Sequence, residues 1–226
     1  MSSEVDLCNW ALGHIGQEQT ITSLTENSKA ARICNRYYTQ ARDTLLAEYP
    51  FPFARRSVAL ALTADPPQPG WQFQYAYPAN CLKAYRVCTS DGIRVLMAKW
   101  QTWVDGTMLL NLPPGYAYPG LNYSLGRMPF EVVYGSAAPA IVTDLENAYL
   151  LYSAQVTDAS RFPVLFCESL AWRLAALISM PMLASPQIAQ MCSQQAQIAQ
   201  SIAIAHGLNE RVEDAPPMPS SVSSRG

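Results

Sequence analysis

Two histidines and six cysteines are the residues best suited to nucleophilic or metal chemistry in this 226-residue chain, and their spacing speaks against both. His14 and His206 stand far apart in sequence, each at the expected end of a helix. A Ser-His-Asp arrangement would have to recruit one of them, and a polar helix-end residue is the simpler reading. Cys8, Cys34, Cys81, Cys88, Cys167 and Cys192 are scattered without a C-x-x-C pair, so a zinc site would need an unusual ligand set. Most lie in apolar contexts, where a reduced cysteine behaves as a small hydrophobe, in line with a reducing compartment. Asp91 and Asp105 are a conceivable carboxylate pair for glycoside cleavage. Each precedes a glycine, however, in a turn where Asp is expected for backbone reasons. No G-x-S-x-G, H-E-x-x-H, P-loop or dinucleotide fingerprint occurs. The expectation is a non-enzymatic chain with no cofactor and no metal.

Two stretches without charge point elsewhere. From Leu174 to Asn209 there is no Asp, Glu, Lys or Arg. The polar positions are Gln187, Gln190, Gln194, Gln195, Gln197, Gln200 and Ser201. A helix facing solvent normally carries charge on its polar face. Amides and hydroxyls, unlike charges, are desolvated at moderate cost when they find partners. Charge depletion is also typical of interface cores. A Gln-rich solvated helix remains the alternative, but the pattern favours a subunit interface, with Gln187, Gln190, Gln194, Gln197, Gln200 and the nearby Arg211 as candidates. The second stretch, Gly106 to Gly126, carries Tyr116, Tyr118, Leu121 and Tyr123 on a Gly/Pro frame. Tyrosines held this way make large contacts at low entropic cost, as a docking loop would. A loop folded back over a β core is the other reading.

Composition narrows the partners. Half of the residues are hydrophobic, yet mean hydropathy is near zero and no run of eighteen apolar residues occurs, so no membrane span is expected. The N-terminal MSSEVD lacks the basic and apolar regions of a secretory signal. With 15 basic and 17 acidic residues, and no basic cluster larger than Arg55-Arg56, there is no footprint for gripping nucleic acid.

The elements that position these residues can be read in order. A first helix is expected from Ser3 to Leu12, with Ser3 as N-cap, Glu4 and Asp6 in its first turn, and Gly13 and Gly16 at its exit. Ser23-Leu24-Thr25-Glu26 reads as a capping box opening a second helix of about twenty residues. Its apolar stripe is Ala30, Ile33, Cys34, Tyr37, Ala41, Leu45 and Tyr49, with Arg42 off the stripe, and Pro50 and Pro52 end it. Strands are expected at Val58–Leu62, Gln72–Tyr77, Leu82–Thr89, Ile93–Met97, Met108–Leu110, Phe130–Tyr134 and Tyr149–Val156, with turns at Ser90-Asp91-Gly92 and Val104-Asp105-Gly106. Trp71, Phe73, Tyr75 and Tyr77 alternate onto one face, as in a core strand rather than a platform for stacking bases. Helix returns near Asp158 as N-cap, with Phe162, Phe166, Leu170, Leu174 and Leu177 as its stripe and Pro181 as its stop. Ser185-Pro186 restarts a last helix to about Ala205, with Gly207 as cap residue. Beyond Asn209, the Pro/Ser-rich ERVEDAPPMPSSVSSRG is expected to be mobile in the isolated chain. The fold class is therefore α+β: a helical bundle from residues 1–57 and 157–208, an inserted antiparallel β barrel or sandwich at 58–156, and a flexible tail at 209–226.

Three segments in this order carry a family resemblance. The first runs from Leu7 to Val58 and holds the short helix closed by Gly13 and Gly16, the ENSKAARICNRYY run and the exit YPFPFA. The others are W-x-F-x-Y-A-Y-P-A-N-C-L at Trp71–Leu82 and VTDASRFPVLFCESLAWRLA at Val156–Ala175. Together they resemble the head-to-tail adaptor proteins of short-tailed phages, also called tail tubular protein A or gatekeeper. The resemblance implies a structural virion protein at the head–tail junction, assembled in the host cytoplasm. Such adaptors typically form a ring of twelve copies beneath the portal protein, present a platform to the tail nozzle protein and let DNA pass through the channel. The uncharged Gln helix and the tail then become candidates for subunit and portal contacts, and the Tyr/Pro loop a candidate nozzle contact. The proline-rich tail and the number of cysteines depart from the family's pattern. A head-completion connector of a longer-tailed phage, or a tail-associated cell-wall or polysaccharide hydrolase, are the alternatives.

Overall fold

The computed structural model describes residues 2–90, 128–134 and 138–209. The fold is mixed α+β, with helices at both ends of the described chain and two small antiparallel sheets between them.

Helix α1 (Glu4–His14) opens with a reciprocal capping box: Ser3 Oγ accepts from Asp6 N at 3.1 Å, and Asp6 Oδ2 accepts from Ser3 N at 2.8 Å. The second predicted box behaves otherwise. The Ser23 hydroxyl is engaged with Thr25 (2.8 Å to its Oγ1), and Glu26 reaches back to Thr22 N and Oγ1 at 2.8 and 2.9 Å. Those bonds close a turn, and the Thr22 N–H, with the Ser28 and Thr22 hydroxyls, holds the Glu26 carboxyl down at about 2. Helix α2 (Lys29–Glu48) takes its N-cap five residues after Ser23, at Ser28, whose Oγ accepts from Ala31 N at 3.1 Å.

The buried face of α2 is Ala30, Ala31, Cys34, Tyr38, Ala41, Arg42, Leu45 and Leu46, with Ile33 and Tyr37 half-buried beside it. Arg42, expected off the stripe, is inside. Its charge is met by Asp43 Oδ1 at 2.8 Å and Glu4 Oε1 at 3.9 Å, and its guanidinium lies 5.8 Å from the Tyr38 ring centroid.

The C-terminal helices are α3 (Val164–Leu183) and α4 (Pro186–Asn209). Asp158 caps a single 3-10 turn, Ala159–Arg161, rather than the helix itself, and Pro163 takes the cap position of α3. Pro181 does not end α3. The helix runs two residues further and stops where Ala184 turns left-handed (φ 53°), which breaks the ladder more firmly than one missing N–H. The Ser185-Pro186 restart is as read, but α4 continues through Gly207 to Asn209. A Cβ at Gly207 would lie 3.3 Å from Pro52 Cδ, so this glycine serves close approach rather than termination.

One apolar core joins these elements: α3 packs on α1, α2 and α4. Leu170, Leu174 and Ile178 of α3 are fully buried against Leu7, Leu12, Leu45 and Leu46. By length and composition α3 is also apolar enough to cross a membrane, a property it shares with the core helices of water-exposed folds; half of that stretch is buried inside the protein. Cys8, Cys34, Cys88, Cys167 and Cys192 are buried, and burial lifts the Cys88 thiol to about 11.

The strands are β1 (Arg55–Ala59), β2 (Phe73–Ala76), β3 (Cys81–Cys88), β4 (Phe130–Tyr134), β5 (Pro139–Thr143) and β6 (Tyr149–Ala154). The first sheet has the order β1-β6-β3 and the second β2-β5-β4. Strand β1 begins three residues before its expected start, and β5 was not foreseen. The expected strands Ile93–Met97 and Met108–Leu110, with both Asp-Gly turns, lie outside the described residues. Among the described residues no closed barrel forms. The sheets meet through single bridges, Leu62 with Tyr75 and Val87 with Met128, too narrow to complete a ladder. Phe73, Tyr75 and Tyr77 do share one core face, and Tyr75 OH donates to Leu145 O at 2.8 Å. Trp71 packs separately, with Val133, Ala140 and Val142. The β part is fastened to α2 by Ser153 Oγ donating to Leu46 O at 2.7 Å and Gln155 Nε2 donating to Asp43 Oδ2 at 2.7 Å.

Candidate assembly surface

Helix α4 is positioned by its small residues. Cys192, Ala199 and Ala203 are buried, and their short side chains let α4 lie close along α3. The rest of its circumference carries Gln187, Gln190, Gln194, Gln195 and Ser201, all exposed. Three large apolar side chains stand among them: Met191 at 45% exposure, Ile198 at 53% and Ile202 at 51%. A polar-only reading of this helix missed them, although their steps of seven and four residues were there to be counted. Scattered single apolar residues on a surface are ordinary. Three on one face of one helix, with no charge between them, make a contiguous surface suited to contact.

Gln200 belongs to a different arrangement. It is half-buried and donates to Glu48 Oε2 at 2.9 Å. Arg173 grips the same carboxylate with both guanidinium nitrogens, Nη1 to Oε2 at 2.7 Å and Nη2 to Oε1 at 2.5 Å. Burial works against the Glu48 charge, but the bonds from Arg173 and Gln200 outweigh it and hold the carboxyl below its ordinary value. This cluster ties α2, α3 and α4 together, so Gln200 already has an internal task. Gln197 is exposed. Arg211 and the loop residues Tyr116, Tyr118, Leu121 and Tyr123 lie outside the described residues.

The residues weighed for chemistry fall into structural settings. His14 stacks on Trp172 with ring centroids 3.7 Å apart and planes 8° from parallel. Burial depresses its pKa, partly offset by the charge of Glu168. His206 borders a small crevice of about 40 Å³ with Phe51, Pro52, Phe53, Pro163 and Phe166. Asp158 spends one carboxylate oxygen on Ser160 N and Oγ, at 3.0 and 2.6 Å, and those bonds lower its pKa. A general acid needs a carboxyl shifted upward. Among the described residues, the carboxyls that are shifted, Asp6, Glu26, Glu48 and Asp158, all move down. No three of His, Cys, Asp and Glu come together there to hold a metal ion.

The surface with the most to explain is therefore the uncharged face of α4. No protein-family model matches the chain, and no curated protein matches it.

Proposed function

We propose that this chain is a structural virion protein, the head-to-tail adaptor of a short-tailed phage, acting in a ring between the portal and the tail nozzle. The observation that carries the reading is the outer face of α4, where Met191, Ile198 and Ile202 stand among uncharged amides. A monomer gains little from such a face, whereas a subunit that meets neighbours in a ring needs one. The three ordered segments that resemble the adaptor family, Leu7–Val58, Trp71–Leu82 and Val156–Ala175, supply the identity of the ring.

In this reading α1, α2, α3 and α4 form a helical bundle built from both ends of the chain. The β part is an inserted domain directed outward or toward the nozzle. The α4 face and residues 210–226 meet neighbouring copies and the portal, and the Tyr116–Tyr123 loop meets the nozzle. DNA passes through the channel without being gripped, consistent with a net charge of -2 and few basic residues.

Native mass measurement and electron microscopy of the chain, alone and mixed with the portal of its own phage, test the proposal. A twelve-fold ring capping the portal is the expected result. A chain that ignores the portal under all conditions overturns the adaptor role. A truncation removing Glu210–Gly226 is expected to keep the fold and weaken portal attachment, because this reading assigns those residues to the portal contact.

A further inference from the structure

The outer face of α4 has a finer pattern than exposure alone conveys. Met191, Gln195, Ile198, Ile202 and Ala205 follow one another at steps of four, three, four and three residues, the spacing of a helix-pairing seam. All five are exposed, while Cys192, Ala199 and Ala203, each the next residue along and so about 100° round the helix from Met191, Ile198 and Ile202, are already packed against the rest of the protein. Helix α4 thus has one seam in use and a second one open.

Charge selects what covers the open seam. No Lys or Arg lies between Leu174 and Asn209, so the face has nothing to offer a phosphate backbone or an anionic lipid surface. A charged partner helix would bury its charges against amides that cannot neutralise them. The matching surface is another uncharged helix of the same spacing, and α4 itself is one. Ile198 lies at the midpoint of Pro186–Asn209. In an antiparallel pair centred there, Ile198 meets its own copy, Met191 falls opposite Ala205, and Gln194 falls opposite Ile202. The large side chain meets the small one, no like charges oppose, and the two helix dipoles run in opposing directions.

We infer that two copies of the free chain pair antiparallel through the outer faces of their α4 helices, about a two-fold axis at Ile198. The helix is about 36 Å long at 1.5 Å per residue, and a contact strip of that length belongs with interfaces below about 1,200 Å². The pair is accordingly weak and reversible. A cyclic ring joins unlike faces, whereas a two-fold pair joins like ones. The pair is therefore a separate state that stands whether or not a ring forms on a portal, and it covers the α4 face until it opens.

Analytical ultracentrifugation of the full chain, from about 1 to 200 µM to span the range of weak interfaces, reads the pairing directly. Dimer growing with concentration is expected, and the double variant Ile198→Glu/Ile202→Glu should raise its midpoint at least tenfold. Both positions are exposed, so circular dichroism should show an unchanged fold. Should that variant misfold, Ile198→Cys treated with a bis-maleimide decides the matter. It should link to its own copy far more than the control Thr44→Cys on α2. A strictly monomeric chain overturns the pairing, as does association indifferent to the two glutamates or a residue 198 that links no better than residue 44. The first of these would leave the face to the chain's other segments or to a different protein. A ring on the portal without the 198–198 link would retain the adaptor reading and remove the pair alone.

Discussion

Helices α2 and α4 both lay one side on the common apolar core, yet their outer sides are opposites. The outer side of α2 exposes Lys29, Arg32, Asn35, Arg36, Thr39, Gln40 and Thr44, with none of the protein's exposed large apolar side chains. That of α4 exposes Met191, Ile198 and Ile202 among glutamines. Both helices obey the same rule inward, where burial of apolar surface holds them in place. Outward, α2 carries charges that are costly to desolvate, and α4 carries groups that are not. The difference separates a face kept for water from a face suited to contact, and it rests on side-chain chemistry, since the backbones are alike.

The comparison breaks most visibly at the inner faces. Leu45→Ala or Leu46→Ala in α2 is expected to destabilise the fold by about 2–5 kcal/mol, since both residues are fully buried. Ile202→Ala on the outer face of α4 should stay within about 0.5 kcal/mol in dilute solution. Chemical denaturation of the three variants checks this; a comparable loss for Ile202→Ala would mean that α4 has an internal partner on that side. Next in size is overpacking of the close α3–α4 contact. Ala199→Leu should cost about 1–3 kcal/mol in the same measurement, whereas leucine at exposed Gln194 should cost little.

The start of α2 gives a smaller and sharper contrast. Ser28→Ala removes the hydroxyl that caps Ala31 N and is expected to cost about 1 kcal/mol. Ser23→Ala, at the turn that resembled a cap, should cost less, and a reversed order in thermal melts would restore the helix start to Ser23. Smallest is the polar tie between the two helices. The Glu48 pKa is lowered in the folded state, so its contribution is present above the ordinary carboxyl value and is lost as pH falls through the lowered one. Because more than a third of the side chain is exposed, the effect should be no more than about 1 kcal/mol. Glu48→Gln should flatten the acid limb of the stability profile slightly, and an unchanged limb would show that the cluster contributes nothing measurable.

Much of the fold was legible because many of its signals are local. Ser3 with Asp6, the stop at Pro50, and the Ser185-Pro186 restart each involve residues within a turn of one another. Strand β3 followed from a run rich in Leu, Tyr and Val before a turn signal, and the shared face of Phe73, Tyr75 and Tyr77 from side-chain period. Strand β5 was missed because Pro-Ala-Ile-Val-Thr has no alternation; its last four residues are buried on both sides, and only pairing with β2 and β4 makes it a strand. The candidate site was half legible. The charge-free run located the helix, and the helix then separated Gln200, held by Glu48, from Met191, Ile198 and Ile202, which face outward.

The residue order by itself determined that α4 exists, that it is uncharged, and that an apolar residue recurs at seven- and four-residue steps along it, because helix propensity and periodicity are properties of near neighbours. Only the tertiary structure decided which of its sides faces outward. Both sides of α4 have a workable spacing, one in Cys192, Ala199 and Ala203 and the other in Met191, Ile198 and Ile202. Close packing on α3 favours the side with the smaller residues, and that choice left the larger ones on the surface.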